Sequence, residues 1–125
     1  MRLDVSWSAV ALGAMTGLGV ALAVFLFLGI TGIVNDDNAA IPLAFLQFLA
    51  QFGAGFVAGR LAGRDGVVHG SFAAMAMYLV GSTLTLAAAP DTVSTGALVL
   101  FAVVAAVLGS AGGLLADAGR REASE

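Results

Sequence analysis

The chain has 125 residues, of which 60% are hydrophobic and only 10% are charged, and its mean hydropathy is +1.02. A water-soluble domain carries roughly 25% charged residues, because its surface faces water. The five arginines and eight acidic residues of this chain are too few to solvate such a surface. The composition therefore excludes a soluble globular domain and places the chain in a lipid bilayer.

The side-chain inventory excludes several kinds of chemistry. The sequence contains no cysteine and no lysine, which rules out disulfides, thiolate metal sites, thiol nucleophiles and Schiff-base catalysis. One histidine, His69, does not make a metal site without a second ligand. We therefore expect no cofactor and no metal, and for a membrane chain with a net charge of −3 we expect no nucleic-acid partner.

Four long apolar segments follow one another along the chain, and each supplies the roughly 20 residues that a membrane-spanning helix needs. The period-two alternation of a membrane β-strand is absent from the sequence. The sequence predicts an all-α, polytopic membrane protein: a bundle of four transmembrane helices forming one domain, residues 1–125. The predicted spans are 7–34, 41–62, 67–89 and 93–116, followed by a polar tail, 117–125. Asp117 is expected to be a solvated helix end.

Two further patterns concern the organisation of the chain. The first apolar segment is about twice as long as the 7–15 residues typical of a signal peptide, so we interpret it as a span. A shift of 58 residues aligns residues 55–58 with 113–116, near the same end of the second and fourth spans. Two explanations fit this alignment. Either the four spans are two repeated helical hairpins, or segments rich in glycine and alanine match by chance.

The arginines predict the orientation of the chain. With the N-terminus inside, all of the arginines fall on the cytoplasmic side, and the only charged residues of the opposite loops are acidic. The positive-inside rule counts basic residues, so this distribution predicts one orientation in the cytoplasmic membrane with both termini in the cytoplasm. The five residues are Arg2, Arg60, Arg64, Arg120 and Arg121.

Small residues recur at helical spacing in every span. Every fourth residue of the second span lies on one helix face, and similar stripes occur in the other spans. Because helices in lipid associate through close backbone approach and interhelical hydrogen bonds, such faces predict helix contacts. Three interpretations stay open. The small-residue faces pack the helices of one bundle together, or they join two copies of the chain in a dimer, or the two glutamines of the second span line a polar path. The candidates are Gln47, Gln51, Gly55, Gly59, Gly63, Gly13, Gly17, Gly109 and Gly113.

A second cluster lies at the predicted cytoplasmic interface. Arg60, Arg64 and His69 are candidates for binding a lipid headgroup, because arginine presents paired donors to phosphate oxygens. The alternative is that the arginines only anchor the topology by extending to the interface, and that His69 is a polar cap of the third span.

Near the middle of the spans the sequence places no ionisable side chain of the kind that intramembrane catalysis and ion coupling need. We therefore expect no enzymatic activity. The first functional hypothesis is a structural or interaction component that packs with itself or with a larger membrane partner. The alternative is a channel or transporter subunit for a small solute or ion, in which Gln47, Gln51 and Thr16 line a polar path between protomers.

One stretch carries a resemblance. Residues 51–63, QFGAGFVAGRLAG, are followed by Val68-His69-Gly70. This pattern resembles a family of small four-span membrane proteins whose second span ends in Ala-Gly-Arg and whose third opens with His-Gly. The resemblance extends in pattern over nearly the whole chain, and its specific letters cover about twenty residues. It implies the fold and the membrane location only.

Overall fold

A computed structural model describes residues 4–35 and 37–125 of the chain. Arg2 and Asp36, which contribute to the topology argument, lie outside the described residues. Within the described part the chain forms four α-helices and no strand, which confirms the predicted all-α four-helix bundle. The helices are α1 (Trp7–Ile30), α2 (Ala40–Ala62), α3 (Gly66–Ala88) and α4 (Thr95–Ala123), and a 3-10 turn, Pro90–Thr92, precedes α4.

Left-handed glycines end the first two helices. The first span was expected to reach residue 34, but α1 ends at Ile30 because Gly32 adopts a φ of +70°. The Thr31 hydroxyl donates to the Phe27 carbonyl at 2.8 Å, and the Thr31 N–H donates to the same oxygen at 3.0 Å. Gly63 ends α2 in the same way, with a φ of +72°. A residue with a Cβ adopts this conformation only at a cost.

The last helix is longer than the sequence predicted. It begins after Ser94, whose hydroxyl accepts from the Ala97 N–H at 3.2 Å, and it runs to Ala123 instead of ending at residue 116. Most of the expected polar tail is therefore helical. At about 1.5 Å per residue, α4 is about 43 Å long, so it extends beyond a hydrocarbon core of roughly 30 Å.

The two middle helices form the centre of the bundle. Helix α1 packs against α2 and α3 on one side, and α4 packs against the same two helices on the other. In the described part of the chain α1 and α4 do not contact each other. Each of the four helices is long and apolar enough to cross a membrane, so the chain is a multi-pass membrane protein.

Burial is confined to one half of this bundle. We call residues 7–17, 50–62, 66–77 and 105–123 the packed half, and residues 18–30, 40–49, 78–88 and 95–104 the open half. Every buried side chain in the described residues belongs to the packed half. The interior of the packed half is mostly glycine and alanine, so backbones approach closely there. Larger side chains, such as Phe48, Tyr78 and Leu98, lie between the helices of the open half.

Candidate functional site

The described arginines lie at the end of the packed half. Arg60 is in the last turn of α2, Arg64 follows it, and Arg120 and Arg121 are near the end of α4. The guanidinium of Arg64 lies 3.3 Å from the carboxylate of Asp4 and also donates to its carbonyl, which joins the segment before α1 to the α2–α3 loop. Arg60 and Arg64 are exposed, and headgroup binding stays a prediction for these two residues.

Asp117 does not lie at a solvated helix end, in contrast to the expectation. Its side chain is 19% exposed, and its carboxylate accepts from the Gly66 N–H, the first residue of α3, at 2.9 Å. It also pairs with Arg120, whose guanidinium donates to the Gly59 carbonyl of α2 at 2.5 Å. These four groups, which we call the Asp117 clamp, hold the ends of α2, α3 and α4 together. This long-range contact explains why α4 continues past residue 116.

His69 is not placed to bind a lipid headgroup. It is 1% exposed, and both ring nitrogens have partners inside the protein. Nε2 accepts from the Ser6 N–H at 2.9 Å, so the neutral ring carries its proton on Nδ1, which donates to the Asp65 carbonyl at 3.0 Å. His69 therefore fastens the segment before α1 to the start of α3.

Two glycines of α2, Gly55 and Gly59, face α4. A Cβ added to Gly55 would lie 2.6 Å from the Gly109 Cα and closer still to its carbonyl oxygen, and a Cβ added to Gly59 would lie 3.0 Å from the Gly113 Cα. Gly63 does not belong to this contact, since a Cβ there would meet nothing within 4 Å. Its function is to end α2. The other four glycines form one continuous backbone contact between α2 and α4.

The alanine face of α2 receives α1. A Cβ added to Gly13 would lie 2.6 Å from the Ala54 carbonyl oxygen and 2.7 Å from the Ala58 Cβ. Gly17 lies opposite Ala54 in the same way, and the sulfur of Met77 on α3 closes this side at 2.9 Å from the added atom. Two faces of α2 are thus occupied by two different helices of the same chain.

A cavity lies between α2, α3 and α4 in the open half. Its volume is about 380 Å³, within the lower range of small-molecule sites. Its walls are largely apolar and include Phe48, Leu98 and Phe101, and the Phe48 and Phe101 rings lie 6.5 Å apart between centroids. Its polar lining consists of Gln47, Gln51, Tyr78, Ser82 and Thr85.

Gln51 lies at the deep end of this cavity, where the packed half begins. The residue is 2% exposed, and its Oε1 atom is buried without a hydrogen-bond partner. A buried acceptor without a partner is unfavourable, and most such groups in proteins are paired. The cavity therefore ends at a polar atom that lacks a partner within the chain.

Thr16 does not share this location. It is exposed on α1, and its hydroxyl donates to the Leu12 carbonyl of its own helix at 2.7 Å. Helix α1 also contributes no residue to the cavity. Of the three residues expected to line a polar path, Gln47 and Gln51 meet in one cavity, and Thr16 lies elsewhere.

Sequence reasoning missed the contribution of α3. Tyr78, Ser82 and Thr85 follow the spacing i, i+4, i+7, which places them on one helix face. This spacing, beside the glutamine pair of α2, was the signal that was available for the cavity. In the Asp117 clamp, only the pair of Asp117 and Arg120 had a local signal, the spacing i, i+3. The contacts of this clamp with α3 and α2 had none, since they join residues that are 51 and 61 positions apart in the sequence.

Comparison of the chain with protein-family models, with curated proteins and with solved structures finds no match.

Proposed function

We propose that this multi-pass membrane protein binds a small solute in the cavity of its open half, as a subunit of a channel or transporter. The observation that carries the proposal is the buried, unpaired Oε1 of Gln51 at the deep end of that cavity. A largely apolar cavity with a few convergent polar groups is typical of a binding site. The described lining residues include no carboxylate, imidazole or guanidinium, which supports a role in binding and not in catalysis.

The packing of the small-residue faces favours this role over association through those faces. Gly55 and Gly59 of α2 contact Gly109 and Gly113 of α4, and the alanine face of α2 contacts α1, so these surfaces are occupied within one chain. A structural or interaction component is the second candidate. The observation that favours it is the second half of α1, in which residues 22–27 are all exposed. Its partners would be a second copy or a larger membrane protein.

The role of the cavity predicts a flux phenotype. In liposomes containing the protein, we expect at least one solute of a panel of small ions and uncharged molecules to cross faster than in protein-free liposomes. Gln51→Leu should return the rate to that background, because it removes the polar group at the deep end of the cavity. Phe45→Leu is the matched control, since Phe45 is 64% exposed on the same helix and outside the cavity.

Equal flux for Gln51→Leu and the parent protein would contradict the proposed role of the cavity. Absence of flux for the whole panel would reject transport. If a Leu26→Cys variant then forms a disulfide-linked dimer in native membranes, the second candidate is favoured, because Leu26 lies on the exposed part of α1.

We further propose that the protein lies in the cytoplasmic membrane with both termini in the cytoplasm. In this orientation, the end of the packed half that carries the arginines faces the cytoplasm. The grouping of Arg60, Arg64, Arg120 and Arg121 at one end of the bundle supports this orientation. Lipid surrounds the exposed apolar side chains in this proposal.

The orientation can be tested by thiol labelling of single introduced cysteines, because the chain has no cysteine of its own. In intact cells, we expect a membrane-impermeant thiol reagent to label Asp37→Cys, in the α1–α2 loop, and not Ser124→Cys. Both positions are exposed, so both should react once the membrane is permeabilised. Labelling of Ser124→Cys in intact cells would reverse the proposed orientation.

A further inference from the structure

Two of the hydroxyl groups that line the cavity of the open half already donate their hydrogens to backbone carbonyls. The Tyr78 hydroxyl donates its hydrogen to the Leu98 carbonyl at 2.7 Å, and the Thr85 hydroxyl donates to the Gly81 carbonyl at 3.0 Å. Each hydroxyl has only one hydrogen, so what its oxygen can still offer is a lone pair. The Oε1 atom of Gln51 adds a third acceptor, which is buried and unpaired. The amides of Gln47 and Gln51 and the Ser82 hydroxyl also bring donors to the lining, but the buried atom that lacks a partner is an acceptor.

The remaining lining restricts the rest of the ligand. No charged side chain lies among the described residues that surround the cavity, so an ion placed there would lose its hydration without a compensating charge. The rings of Phe48 and Phe101 and the side chain of Leu98 form apolar walls. A volume of about 380 Å³ suits a small ligand.

From these features we propose that the cavity binds uncharged phenol-like molecules, in which an O–H or N–H donor is carried on a compact apolar ring, and that Gln51 Oε1 accepts the hydrogen bond from this donor. This inference rests on the proposed function, because it names the ligand class for the same cavity. The ring lies against Phe48 and Phe101, and the donor points toward the packed half.

The matched pair of probes is phenol and toluene, which have the same shape but differ in the hydrogen-bond donor. Anisole adds an oxygen without a donor, and benzoate adds a charge. We would measure the affinity of each probe for the purified protein in nanodiscs by saturation-transfer NMR, and subtract its partition into protein-free nanodiscs. We expect phenol to bind about tenfold more tightly than toluene or anisole, the effect of one hydrogen bond, and benzoate not to bind.

The variant Gln51→Met tests the role of the amide. Methionine has a similar length and fills the same space without an amide oxygen. We expect this variant to bind phenol and toluene equally, with the toluene affinity unchanged, whereas Phe45→Leu should keep the preference for phenol. The comparison of phenol, anisole and toluene on the parent protein needs no variant, so it remains decisive even if Gln51→Met does not fold.

The outcomes separate this inference from the proposed function. If toluene binds as tightly as phenol, the cavity is a binding site but the ligand class is wrong. If the preference for phenol persists in a folded Gln51→Met protein, Gln51 is not the acceptor, and the inference is also overturned. If no probe binds, the ligand class is wrong and the proposed binding role loses its support. Water would then be the hydrogen-bond partner of the Gln51 amide oxygen.

Discussion

Gly55→Ala is expected to destabilise the protein by roughly 1–3 kcal/mol, the usual cost of inserting a group into a closely packed contact. The added Cβ would overlap the Gly109 carbonyl oxygen and lie 2.6 Å from the Gly109 Cα, both of which are backbone atoms. A side chain can change rotamer to make room, but here α2 or α4 must shift as a whole. Thermal unfolding in a mild detergent, followed by circular dichroism, measures the effect.

Gly53→Ala is the matched control for this prediction. Gly53 lies two residues earlier on the same helix, and a Cβ added there meets nothing within 4 Å. Because alanine is the better helix former, this variant should be neutral or more stable by up to about 1 kcal/mol. Equal melting temperatures for Gly55→Ala and Gly53→Ala would mean that α2 and α4 do not meet at this position.

Asp117→Ala is expected to destabilise the protein by about 1–3 kcal/mol, because it leaves two donors without their acceptor. These donors are the N–H of Gly66 and the guanidinium of Arg120, which then remains partly buried without its counter-charge. Asp117→Asn should be intermediate, because its amide oxygen still accepts one of these hydrogen bonds. Unfolding by heat or by a denaturing detergent gives the comparison.

The control for the Asp117 clamp is Glu122→Ala, since Glu122 is an exposed carboxylate on the same helix. Its removal changes the net charge by the same amount and should leave stability within about 0.5 kcal/mol of the parent protein. A loss as large as that of Asp117→Ala would assign the effect to overall charge and not to the clamp. No change for Asp117→Ala would show that water satisfies both donors.

The number and type of the elements followed from hydropathy because lipid leaves few choices. An apolar segment of this length has to satisfy its backbone internally, and an α-helix does so within the segment. The ends were less certain, although Gly32 and Gly63 are typical signals for the end of a helix. The predicted end of α4 was wrong because the last turns of this helix contact Gly59 and Gly66, which are far away in the sequence.

The candidate site was only partly predictable for a similar reason. The spacing of Gln47 and Gln51 shows that they share a helix face, but it does not say which helix lies opposite. In the structure the continuation of that face, Gly55 and Gly59, contacts α4, whereas the glutamines line a cavity. Residues from α2, α3 and α4 surround the cavity, so its presence depends on how the helices meet in the assembled bundle.

The absence of a contact between α1 and α4 in the described part of the chain has a consequence for biogenesis. Helices enter the membrane in the order of synthesis, and α1, α2 and α3 can complete all of their mutual contacts before α4 leaves the ribosome. Until then, the α2 glycines that receive α4 are exposed to lipid. The fourth helix therefore arrives at a preformed groove, and its insertion both completes the bundle and closes the third wall of the cavity.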